Sequence, residues 1–412
     1  MIQTSSYIMM SIIKFLSYHE IPYLSITTLI EKHPRGVNGL PWHMLHLSTN
    51  PTLSWVFVKA HLDGINRQPW DMSQLSWNPT LPWNFVIQHS EGLHGQPGDM
   101  QALSEIVSWD YVFQHPEGLR GKHWCMLGLS RNPNLPRNYV RKHPEGFQGL
   151  PWRPWNVREL SSNPNLPWDF VEEHPEGLNG HQWCMYALSS NPILPWDYVE
   201  EHLQGLCGKP WNVRGLSMNP NLPWDFVLKH PEGLHGQPWC MQRLSMNRNL
   251  PWDYVEEHPE GLHGQPWNMS ALSGNSNLPW KYVEEHPQSF NGQPWSMFGL
   301  SSNPNLPWDY VEQHPEGLHG KPWDMSGLSS NPSLPLDYVL KHPEGLNVQP
   351  WDMVRLSANQ SNNAIQIFFK LPFSQKEFKE ELRSKAEEIL CQLGSSRYKE
   401  WKEEFERLGS KK

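Results

Sequence analysis

Along residues 303–330, NPNLPWDYVEQHPEGLHGKPWDMSGLSS, large apolar side chains fall at Leu306, Trp308, Tyr310, Val311, Leu318, Trp323, Met325 and Leu328, with small or polar residues between them. Prolines punctuate the pattern. Pro307 and Pro322 each precede a tryptophan and then an acid, which predicts two helices starting at those prolines, with Asp309 and Asp324 in the first turn facing the positive end of the helix dipole. The first, over about 307–314, must stop where Pro315 and Gly317 follow; the second, over about 322–329, stops at the Ser-Asn-Pro that begins the next stretch. Helices of about eight residues are roughly 12 Å long and do not persist alone in water. Burial of the apolar slots has to hold them.

The stretch recurs twelve times, opening at Pro22, Asn50, Asn78, Ser104, Asn132, Asn163, Asn191, Asn219, Asn247, Asn275, Asn303 and Asn331. A fixed period in this range marks a stacked array in which each unit buries its apolar face against its neighbours. The expected fold is therefore all-α: a solenoid of about twelve 28-residue units, each two short proline-initiated helices. The slot of Val311 is valine or isoleucine in every unit and that of Leu328 is always leucine, while the slot of Trp323 is tryptophan everywhere except at Gly98. Thr27, Arg137 and Leu336 interrupt the Trp308 slot. The expected core comprises Trp168, Trp183, Val199, Trp211, Trp224, Trp239, Trp252, Trp267, Trp308, Val311, Trp323 and Leu328. A tryptophan burying ~200 Å² contributes about 5 kcal/mol before entropy, more than any surface ion pair.

Three regions follow from this pattern. Residues 1–21 read as a lone N-terminal cap helix, 22–358 as the repeats, and 359–412 as charged amphipathic helices. In the last region Ser374 and Glu377 form a capping box ahead of Phe378, Leu382, Ile389 and Leu393, and a second amphipathic stretch carries Tyr398, Trp401, Phe405 and Leu408. That tail reads either as a hairpin sealing the last repeat or as a docking segment. The first unit is degenerate, as expected of an end unit with one neighbour. Two residues are missing at Ser104 and three are added within 151–155, predicting local kinks. Twelve helix pairs advancing ~8–10 Å each would make an open rod on the order of 100 Å long.

Composition narrows the function. The formal charge is −9 and sits in the repeats, which disfavours phosphate-backbone binding. Cys125, Cys184 and Cys240 occupy one slot of alternate units, about 20 Å apart on helix spacing and beyond disulfide reach, which points to a reducing, cytoplasmic setting. The apolar start is too short to span a bilayer, and no membrane partner is expected.

A histidine ends the first helix of all twelve units, from His33 to His342, and four units add a second one, as at His89/His94, His230/His235, His258/His263 and His314/His319. A zinc site needs three or four converging ligands; a helix-terminal histidine meeting the last carbonyls explains the pattern without metal. No nucleotide-binding or hydrolase motif is present, and residues repeated twelve times suit no single catalytic centre, so no catalytic residue, metal or cofactor is assigned. The pair before the histidine varies from Glu172-Glu173, Glu200-Glu201, Glu256-Glu257 and Glu284-Glu285 to Arg141-Lys142. Such freedom marks a solvated edge, and those glutamates, with Trp401 and Phe405, are the candidate partner-binding residues.

At NPNLPWDYV and PWDMSGLSSNP the chain resembles the tryptophan-rich short tandem repeats found in proteins of giant DNA viruses that infect amoebae. The resemblance covers about residues 22–358 and implies a viral repeat protein made in host cytoplasm; it transfers no functional residues. The resulting expectation is a non-enzymatic scaffold for protein–protein interaction, with a structural component of a virus particle or assembly site, or a carbohydrate-binding array, as alternatives.

Overall fold

The computed structural model describes residues 26–359 apart from His94 and residues 150–152; the expected cap helix over 1–21 and the tail with Trp401 and Phe405 lie outside the described residues. Each unit is a pair of short helices, and the repeats are all-helical except for small loop hairpins.

Unit 303–330 shows how the sequence makes them. The first helix, Trp308–Gln313, takes Pro307 as an extended N-cap and Asp309 in its first turn, and it ends at His314. Pro307 thus stands one position earlier than expected. The second helix, Met325–Ser330, begins three residues beyond Pro322, because Asp324 is its N-cap: the carboxylate accepts the Gly327 N–H at 2.8 Å. Between the helices Leu318 and Lys321 pair across a two-residue turn in which His319 (φ 49°) and Gly320 (φ 76°) are both left-handed. Gly317 is required by close approach, since a Cβ there would stand 1.9 Å from the Lys321 carbonyl oxygen. This tight loop leaves Trp323 in an extended lead-in. Its indole turns into the core and donates Nε1–H to the His314 carbonyl at 2.8 Å.

That indole bond recurs in every unit that has the tryptophan, from Trp42 to Trp351, and those indoles are at most 4% exposed. Val199, Val311 and Leu328 are fully buried, as the pattern predicts. The first-helix tryptophans differ. Trp252 is buried, but Trp168, Trp224 and Trp308 are only half-buried and pack against the core instead of lying within it. Each lays its ring against the Tyr198, Tyr254 or Tyr338 ring of the following unit, with centroids 5.1–5.2 Å apart.

Two buried polar residues fasten each unit to the next. The hydroxyl of the serine after the invariant leucine accepts the N–H that opens the next unit's second helix, as Ser301 does from Asp324 at 3.0 Å. The asparagine two positions further on donates its amide to two carbonyls at the preceding joint: Asn331 Nδ2 reaches Ser301 O at 2.8 Å and Asn303 O at 2.9 Å. Its own Oδ1 accepts the Ser333 N–H.

These fasteners also join the two ends of the array. Asn359 donates to Ser329 and Asn331 like any other member of its slot, and then Asn50 donates to Ser357 O at 2.8 Å and Asn359 O at 2.9 Å. The His43 N–H donates to Ser357 Oγ at 3.1 Å, and the last second helix, Met353–Ala358, packs on the first one, Met44–Thr49. The repeats therefore close into a ring, which corrects both the open rod and the one-sided first unit. Pro22 stands where the first unit should carry its asparagine, and Asn359, from the far end of the repeats, supplies it.

Side-chain size sets the curvature. Second helices approach backbone to backbone at every step, and at Gly128, Gly215, Gly299 and Gly327 a Cβ would fall within 3 Å of the neighbouring helix. Tryptophan–tyrosine pairs hold consecutive first helices further apart. The closer row must lie on the inner circumference. At the seam Leu336 and Leu29 replace the large rings, and there the two first helices do meet.

Asn50→Ala should strand the Ser357 and Asn359 carbonyls, at about 1–3 kcal/mol for each buried group left unpaired. Because the seam alone lacks a covalent link, the variant should show a larger radius of gyration by small-angle scattering below its unfolding midpoint, whereas Asn219→Ala, at a chain-linked joint, should lose stability without expanding.

The two faces of the ring as candidate binding surfaces

The inner face is formed by the second and sixth positions of the twelve second helices, where side chains leave the packed stripe. Leu45, Tyr186, Met246, Phe298 and Val354 are each 40–50% exposed there. The same helices carry five arginines, Arg131, Arg158, Arg214, Arg243 and Arg355, against two glutamates, Glu105 and Glu159, in a chain whose net charge is −9. Arg131 bridges both glutamates, at 3.6 Å from Glu105 and 2.7 Å from Glu159. Burial pushes the Glu105 carboxyl up, and the Arg131 guanidinium pulls it back down. Arg158 and Arg214 flank Tyr186 one unit away on either side, and the Tyr186 hydroxyl donates to Met218 Sδ at 3.0 Å. Helices spaced about 8–10 Å apart in a ring of this size leave an opening on the order of 20–25 Å across, enough for a helix about 10–12 Å wide.

The outer face is acidic. All eight candidate glutamates are exposed at the C-terminal ends of first helices, yet they are not equivalent. Glu172 and Glu256 accept the indole N–H of Trp168 and Trp252 on their own helices. Glu173 pairs with Arg141, Glu200 with Lys229 and Glu285 with Lys281. Arg141 also holds the Asp169 carboxyl below its usual range. Burial, with Glu312 adding to it, pushes the Tyr338 phenol up to about 12.

The helix-terminal histidines act on their own backbone: His61, His174, His202 and His286 each bring Nδ1 within 3.0–3.1 Å of the carbonyl four residues earlier. The second histidines, His235, His263 and His319, occupy the left-handed turn position that asparagine, or Arg120 or Cys207, fills in other units. Among the described residues no group of three or more His, Cys, Asp or Glu is placed to hold a metal. Cys125, Cys184 and Cys240 are N-caps of second helices and are free thiols. Most of the described indoles are spent inside the wall or on neighbouring rings, while Trp77, at the sixth position of its second helix, is half-buried on the inner face. No described helix is long and apolar enough to cross a membrane.

The inner residues escape a slot-by-slot reading of the sequence because their slot is the most variable one. Arg158, Tyr186, Arg214 and Phe298 share a position that is serine in residues 303–330. The available signal was that variation itself, together with the concentration of arginine in second helices. No protein-family model, curated protein or solved structure matches the chain.

Arg131→Met should leave Glu105 and Glu159 facing each other without their cation, at a cost of roughly 1–2 kcal/mol at pH 7 given their partial exposure. Without the arginine the folded-state carboxyl titrates further above its unfolded value, so its favourable contribution is present at low pH and lost as pH rises. The deficit against wild type should accordingly be smaller at pH 4 than at pH 7 in chemical denaturation; a deficit independent of pH would contradict the bridge.

Proposed function

We propose that the protein is a non-enzymatic scaffold, a closed ring of helical repeats that holds a protein partner chiefly on its inner face. The observation that carries this reading is the set of large apolar side chains left in water on that face, Leu45, Tyr186, Met246, Phe298 and Val354, interspersed with Arg158 and Arg214. Apolar groups gathered on one surface and rimmed by polar ones mark an interaction site, and tyrosine, methionine and arginine are the side chains that protein interfaces favour. The chemistry suits an elongated partner with acidic and apolar residues, which the acidic outer wall would repel. The resemblance to viral repeat proteins adds the proposal that this partner is met in the cytoplasm of an infected cell.

Two variants separate the faces. Arg158→Glu/Tyr186→Ser/Arg214→Glu alters the inner one, and Glu200→Lys/Glu201→Lys/Glu256→Lys/Glu257→Lys the outer one. In quantitative affinity purification from expressing cells, partners enriched by wild type should fall at least ten-fold with the inner variant and persist with the outer. Retention by the inner variant with loss by the outer would reverse the assignment, and no enrichment over an unrelated protein by wild type would remove it.

A further inference from the structure

The third unit lacks the indole that seals every other unit, because Gly98 stands in the slot of Trp323. Nothing moves in to take its place fully. A cavity of about 80 Å³ opens there, walled by Met72, Phe85, Val86, Met100, Leu103 and Leu119. Eleven sister units provide an internal control. Val86 is 5% exposed where the other members of its slot are at 0–1%, and Leu103 is 4% exposed where every other invariant leucine is at 0%. The polar end of the slot is also vacant. The His89 carbonyl accepts the Gly92 N–H at 2.8 Å, whereas its counterpart in 303–330, His314, accepts both the Gly317 N–H and an indole N–H.

We propose that this cavity is a binding site for a planar aromatic ring bearing an N–H, of which indole is the type. The wall is the one that holds a covalent indole elsewhere in the same chain: apolar rings and methyls on the faces, and a helix-terminal carbonyl aimed at the donor. The space is smaller than the ~150 Å³ that takes benzene in an engineered core, so the wall has to widen for a ring to enter. A Cβ at position 98 would stand 3.1 Å from Ser76 Oγ and 3.2 Å from Leu103, so refilling the slot covalently requires these side chains to give by a few tenths of an ångström. The adjoining joint is also the one that lacks its asparagine: Asn132 donates to Ser104 O and Val107 O where other units present an Asn carbonyl.

The test is a titration of full-length protein, methyl-labelled at Val, Leu and Met, with free indole. Saturable shifts confined to Met72, Val86, Met100, Leu103 and Leu119 are expected. Gly98→Trp, which refills the slot covalently, should weaken binding at least ten-fold. Shifts that do not saturate, that spread over equivalent methyls of all units, or that survive Gly98→Trp would overturn the proposal. The wild-type map needs no variant, so it decides the matter even if Gly98→Trp does not fold.

Discussion

Everything in this fold depends on a pair of buried polar residues, the serine and the asparagine that close each unit. Helices of six residues bring almost no stability of their own, and hydrophobic burial, though large, has no direction. Serine Oγ and asparagine Nδ2 supply the direction. Each is sealed from water and finds its partners only when the next unit sits at one height and one angle, so a misplaced neighbour would leave donors and acceptors unpaired at a cost comparable to the whole bond. The indoles then fill the space that the hydrogen bonds define.

Closure follows from repeating one asymmetric joint. Glycine, alanine and serine on the second helices let backbones meet, and tryptophan against tyrosine on the first helices keeps them apart, so every step is wedge-shaped. After twelve steps the last second helix reaches the first, and Asn359 accepts from Asn50 as the asparagine missing from the first unit's sequence would. The departures from the repeat now have places. Leu29 and Leu336 lie at the seam, where smaller side chains let the outer helices touch. Gly98 and the missing asparagine lie together in a single neighbourhood that is less tightly sealed than its sisters.

Much of this was legible in the sequence, and what was not has physical reasons. Period, helix type and the leucine and valine core follow from local chemistry that each unit repeats. The half-buried state of Trp168, Trp224 and Trp308 does not, because whether an indole is covered depends on the distance to the next unit's tyrosine. The start of the second helix was misplaced because Asp324 caps better than Pro322 begins, and the tight Leu318–Lys321 turn consumes the residues between. Ring closure was out of reach of a unit-by-unit reading, since it is the sum of small rotations. Of the candidate site, the outer glutamates were visible as a variable charged edge. The inner arginines and aromatics were hidden by the expectation of a rod, which has no inside.

A ring separates surfaces that a rod would mix: acid dominates outside, where Val56, Ile87, Phe113 and Leu228 are also exposed, and arginine stands within beside Leu45, Tyr186, Met246, Phe298 and Val354. That separation, and with it the scaffold reading, stands only if the ends of the array meet. Spin labels at Leu45 and Val354, in a chain whose native cysteines are replaced by serine, measure this directly. Helices packed at about 8–10 Å give a single label distance below ~30 Å. A distance near the ~100 Å of an open array, or a broad distribution with no short component, would contradict the closed ring.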